Sequence, residues 1–137
     1  MEHRAKNNQY KEIGDRLIDT MPELQYIKNS GVQIVYLQSD QLKTSGGKVV
    51  HGECEKIPAK YKWALSADFT ITLFENNNVG FTDEQMEILI FHELLHIGIE
   101  KKLSGEEVYS CEPHDLEDFK LVIDKYGTDW AMPKRNK

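Results

Sequence analysis

Residues 92–96 read His92-Glu93-Leu94-Leu95-His96, and their types and spacing are those of a metal site. On a helix, positions four apart lie one above the other, so both imidazoles face one side and can chelate a single divalent ion. Glu93 is turned by about 100° from His92, which puts it beside such an ion without requiring it to ligate. From there a carboxylate can take a proton from a metal-activated water. Zinc metallopeptidases use this H-E-x-x-H spacing.

A catalytic zinc site keeps three protein ligands and leaves one position for water, so a third ligand must come from elsewhere. The longer pattern with a His six residues further on is excluded, because that position holds Lys102 and the glycine falls at Gly98. His114 is the strongest candidate, since Pro113 stiffens the chain that leads to it. Asp115 or Glu117 could ligate instead, or accept the hydrogen bond that fixes a ligand tautomer, and Cys111 and His51 are further options. Zinc would lower the pKa of its water toward about 7. Glu93 would take that proton and pass it to the leaving amine. Tyr109, Tyr61 or His51 could donate to the oxyanion, and an extended substrate could add along an edge of the 69–74 strand.

The bland alternative makes His92 and His96 polar spots on a buried helix. Burying two imidazoles and a carboxylate without partners costs several kcal/mol, so that alternative needs a network of its own. His51 beside Gly52 reads as a loop residue, the acids of 115–118 suit the start of a helix, and Trp63 and Trp130 read as core or surface-anchor aromatics.

The elements that must position these groups are visible in the patterning. Apolar residues three or four apart (Ile13, Leu17, Met21, Leu24) predict a helix from Gln9 to about Lys28, interrupted near Pro22 and ended by Asn29-Ser30-Gly31. Val32–Leu37 is a β-branched strand, Ser39–Gly47 a loop, and Lys48–Ile57 a weaker strand. Asp68–Phe74 is the clearest strand, with Phe69, Ile71 and Leu73 on one face, and Asn76-Asn77-Asn78 turns the chain. Thr82 and Gln85 form a capping box for a helix that the pattern carries to about Gly98. Its apolar residues wrap nearly all round, which belongs at a domain centre. Glu100–Pro113 reads as a loop or short hairpin, and a last helix covers 115–126, stopped by Gly127.

At 137 residues the chain is the size of one domain, with residues 1–8 and 131–137 expected to fray. Hydrophobic residues at 39 % and charged residues at 29 % fit a globular protein. A net charge of −6 argues against nucleic acid as a partner. No apolar run approaches the ~18 residues of a membrane span, the N-terminus lacks the apolar core of a secretory signal, and Cys54 and Cys111 are expected as free thiols. The expected setting is cytoplasmic, and the expected state a monomer.

The blocks Asp68–Phe74, Phe81–Gln85, His92–Ile97, His114–Phe119 and Tyr126-Gly127 with Trp130 resemble the phage metallopeptidase family over about residues 31–130. The resemblance implies a small zincin-like domain encoded by phages or mobile elements in bacteria, with Zn2+ held by His92, His96 and His114 and Glu93 as base. The helix-plus-sheet layout is also similar to SprT-type zincins, although nothing resembles an appended DNA-binding zinc ribbon. The first thirty residues carry no such likeness.

The expected architecture is α+β: a mixed three- to four-stranded sheet packed on the central HExxH helix, with N- and C-terminal helices. The expected function is zinc-dependent hydrolysis of a peptide or protein. Its rivals are a metal-binding protein that acts on a host factor by association, and a zinc amidase acting on cell-wall cross-links.

Overall fold

The computed structural model describes residues 2–112, 125, 126 and 130. In chain order its elements are Arg4–Lys6 (β1), Asn8–Thr20 (α1), Gln25–Ser30 (α2), Ile34–Ser39 (β2), Thr44–Ser45 (β3), Lys48–Val49 (β4), Gly52–Lys56 (β5), Phe69–Phe74 (β6), Asp83–Leu94 (α3), Ile97–Lys101 (β7) and Glu107–Cys111 (β8).

The two runs richest in β-branched and aromatic residues form the middle of the sheet, where both faces can be covered. There β2 and β6 lie parallel, with Ile34 opposite Phe69 and Ser39 opposite Phe74. β1 adds antiparallel outside β2 and β5 antiparallel outside β6, so the mixed four-stranded sheet has the order β1-β2-β6-β5. Phe69, Ile71 and Leu73 join the apolar core with Leu17 of α1 and Ile88, Leu89, Ile90, Phe91 and Leu94 of α3. The opposite face is polar yet covered. Arg4 Nη1 donates to the buried Thr72 Oγ1 (3.1 Å), and the Arg4 and Lys43 cations lie 6.0 and 5.6 Å from the Phe74 ring centroid.

Asn7 caps α1 by accepting from Tyr10 N–H, and the helix buries Tyr10, Gly14 and Leu17. Gly14 is required by space: a Cβ there would overlap the Tyr36 ring of β2. Pro22 ends α1 as expected. It begins a 3-10 turn over Pro22–Leu24 that leads into α2, which closes on Gly31 in the left-handed region at φ 72°. The capping box of α3 is present, with Thr82 Oγ1 accepting from Gln85 N–H and Gln85 Oε1 accepting from Thr82 N–H.

The structure departs from the sequence expectations in several places. Within the 1–8 stretch expected to fray, residues 4–6 form β1 and pair with β2, and His3 N–H reaches Asp40 Oδ1 at 2.8 Å. The first central strand is shifted two residues, to 34–39. Gly46 and Gly47, both at positive φ (57° and 79°), turn the expected loop into a small β3–β4 hairpin. β6 has strands on both sides, so its edges are not open to a substrate, and the outermost strand on that side of the sheet is β5. The motif helix stops at Leu94 and not near Gly98. The β-branched Ile97 and Ile99 instead start a β7–β8 hairpin over 97–111, which begins three residues before the 100–113 stretch expected to be a loop or hairpin. The C-terminal helix expected over 115–126 lies outside the described residues apart from Lys125, which pairs with Glu23 (2.8 Å), and Tyr126, whose ring meets Phe91 edge-on. Among the described residues, no helix is long and apolar enough to cross a membrane.

Candidate metal centre

The end of α3 carries the cluster. Among the described residues, His92, Glu93 and His96 bring ligand-type atoms to within 4.8 Å of one another, the kind of group that could hold a metal ion. Glu93 is 3 % exposed, and the side chains of His92 and His96 are 12 % and 19 % exposed. His92 Nε2 lies 3.8 Å from Glu93 Oε2, and His96 Nε2 lies 3.9 Å from Glu93 Oε1. Both Nε2 atoms therefore lie within 4 Å of the same carboxylate.

His96 is presented by a turn just past the helix and not by the helix itself. Leu95 stays helical (φ −68°, ψ −15°) and His96 N–H bonds Glu93 O at 3.1 Å, so the ring remains 5.3 Å from that of His92. The hairpin then clamps it from the other side. Glu112 N–H donates to His96 O at 2.5 Å, extending the β7–β8 ladder by one pair, and Glu112 O faces His96 Nδ1 at 2.6 Å. A carbonyl only accepts, so Nδ1 carries the proton and Nε2 keeps the lone pair a metal needs.

Two glycines make room for this arrangement. A Cβ on Gly98 would overlap Glu112 Oε1, lie 2.6 Å from Ser110 Oγ and lie 2.7 Å from Glu112 Cγ. At Gly52, at the start of β5, a Cβ would lie 3.3 Å from Glu93 Oε2 and 2.8 Å from Leu73 Cδ2, so the bare backbone lets the carboxylate sit against the strand. Tyr26 O–H donates to Ile97 O at 2.7 Å and ties α2 to the turn after His96. Burial above all, then the nearby Cys54 and Glu112, pushes the Tyr26 pKa up to about 12, so this donor keeps its proton through the neutral range.

Not every residue singled out in the sequence joins the cluster. His51 and Cys111, weighed as third ligands, are outside it. His51 Nδ1 bonds Asn78 Oδ1 at 2.8 Å and its ring stacks on Phe81. Tyr61 sits exposed on a 3-10 turn with Lys60 over its ring, and Tyr109 packs near Phe69. His114, Asp115 and Glu117 lie outside the described residues. Sequence reasoning missed the Glu112 backbone clamp and the glycine clearances, since main-chain groups leave no residue-type signal. Trp130 is buried 6.0 Å from His92, with its carbonyl accepting from Gln85 Nε2, whereas Trp63 is 87 % exposed.

Fold and cluster together define an α+β domain with a helix-end His–Glu–His group suited to a divalent metal. The chain belongs to the Putative phage metallopeptidase family, whose model matches residues 2–134 and so takes in the N-terminal thirty residues as well. Membership implies a metal, commonly zinc, and a hydrolase class. No curated protein and no solved structure matches the chain.

Proposed function

We propose that the protein is a zinc-dependent peptidase of zincin-like layout, with Glu93 as its general base and His92, His96 and His114 as the metal ligands. The observation that carries this reading is the convergence of two imidazole Nε2 atoms on a buried carboxylate, one of them tautomer-locked by a backbone carbonyl.

The donor set fits zinc: two imidazoles, largely shielded from water, at the C-terminal end of a helix whose dipole favours a cation. Glu112, two residues before His114 in the sequence, is held against His96, which supports the choice of His114 as third ligand. When bound, zinc supplies Lewis acidity, which makes water nucleophilic near neutral pH and polarises a carbonyl.

The remaining steps fall to the chain. Glu93 accepts the proton of the attacking water and delivers it to the leaving amine nitrogen. Its burial excludes bulk solvent from the carboxylate, and Gly52 fixes its distance from β5. His96 is held in one orientation by Glu112, and Tyr26 steadies the turn that follows. An extended peptide pairs with the outward backbone groups of β5, whose Gly52 end touches Glu93.

A chelator titration against unfolded casein tests the proposal. Cleavage is expected to fall to background when zinc is removed and to return when about one equivalent is restored. Cleavage indifferent to chelation would refute it.

A further inference from the structure

The face of α3 that ends in His92 can be followed back to the start of the helix. Gln85 lies seven residues before His92, about 20° round and about 10 Å along the axis, so the two side chains share one stripe. Gln85 is fully buried, and its amide makes two bonds. Its Oε1 accepts from Thr82 N–H at 2.8 Å, within the capping box. Its Nε2 donates to the carbonyl of Trp130 at 3.0 Å, which lies 45 positions further along the chain.

Trp130 spans this stripe. Its carbonyl bonds Gln85, its ring centroid lies 6.0 Å from that of His92 at 44°, and Phe81, just before the helix, meets the indole edge-on at 6.4 Å. The indole is buried, and the His92 side chain is 12 % exposed. Residues shortly before Trp130 are also seated on the core. Lys125 Nζ pairs with Glu23 at 2.8 Å, and the Tyr126 ring meets Phe91, the residue before His92. The other imidazole is held by different means, since His96 takes its orientation from Glu112 beside the β7–β8 hairpin.

We infer that Trp130 is a positioning residue of the metal centre: its indole holds the His92 ring with Nε2 3.8 Å from Glu93, and the Gln85 amide holds Trp130 there. A histidine side chain left to itself samples several rotamers, and binding a metal costs it that freedom. A large flat ring packed against the imidazole removes the alternatives beforehand, because tilted aromatic pairs prefer a defined geometry. It also adds to the apolar shell that limits access of water to the ligand. Gln85 thereby ties the first turn of α3 to the ligand in its last turn. The metal as occupant rests on the peptidase proposal, whereas the seat of His92 is a property of the fold.

Two readouts separate the seat from the metal. In zinc-free protein at pH 8, NMR shifts of the His92 ring protons, assigned by their loss in His92→Ala, report packing against the indole. Competition against a chromophoric chelator reports zinc affinity. Trp130→Ala and Gln85→Glu are expected to move the His92 shifts toward those of an exposed histidine and to weaken zinc binding about tenfold or more. Trp130→Phe is expected to restore most of both. A glutamate serves in the capping box and is favoured as the anion at a helix N-terminus, but it has no N–H for the Trp130 carbonyl. Gln85→Glu opens no cavity and carries the test if Trp130→Ala does not fold. Thr82→Ala is the counterpart: it removes the cap and lowers the unfolding midpoint, and is expected to leave the His92 shifts and zinc affinity as in the parent. Shifts or affinity unchanged in both Trp130→Ala and Gln85→Glu, or losses as large in Thr82→Ala, would overturn the inference. His92 shifts that respond as expected in a protein that takes up no zinc would overturn the metal reading alone.

Discussion

Glu93→Gln is expected to lower kcat/KM for casein by about 10²–10⁴-fold while zinc binding stays within a few-fold of the parent. The two side chains have the same shape, so the packing against Gly52 and the burial at 3 % exposure survive. What is lost is the capacity to take a proton. The carboxylate oxygens lie 3.8 and 3.9 Å from the two Nε2 atoms, beyond hydrogen-bond length but close enough to reach a water held between the rings. Parallel kinetics and metal analysis on the two proteins check it. Full activity in the variant would remove Glu93 from the mechanism. A matching loss of zinc would make it a structural support of the site and not its base.

Gly98→Ala is the second large effect. Gly98 does not need unusual backbone angles, so its requirement is spatial: the new methyl would occupy the place of the Glu112 side chain. Both bonds that hold His96 are made by the Glu112 backbone, its N–H to His96 O and its carbonyl on Nδ1, so they loosen to the extent that Glu112 shifts its main chain as well as its side chain to make room. Loss of such an outer-shell partner lowers metal affinity about 10–100-fold, and overpacking at the site costs about 1–3 kcal/mol of stability. Competition against a chromophoric zinc chelator reads the first quantity and urea unfolding the second. Gly105→Ala is the control, because Gly105 has open space around it and only its φ of 88° objects to a side chain. That change should cost stability and leave zinc affinity alone. Normal zinc affinity in Gly98→Ala would show that the clash is relieved by the Glu112 side chain alone and that the bonds holding His96 do not depend on the bare Gly98.

Side-chain pattern carried much of this structure in the sequence. The capping box at Thr82, the break at Pro22 and the alternation in Phe69–Phe74 are local signals, and each appears as read. The end of α3 was illegible for a physical reason: a helix buried all round has no polar face whose loss marks its stop, and the hairpin that takes over at Ile97 is decided by pairing with β8. The edge status of β5 was hidden in the same way, since strand order depends on contacts remote in sequence. Within the site, the spacing of His92, Glu93 and His96 was legible because three side chains carry it. The clamp by Glu112 was not, because a carbonyl is present at every residue.

The central claim is that the two histidines hold a metal ion, and metal content tests it most directly. Purified protein supplemented with zinc, dialysed and analysed by mass spectrometry of the element is predicted to retain about one ion per chain. His92→Ala and His96→Ala, each verified as folded, are predicted to retain almost none. A parent protein that holds no zinc, or variants that hold as much as the parent, would contradict the account.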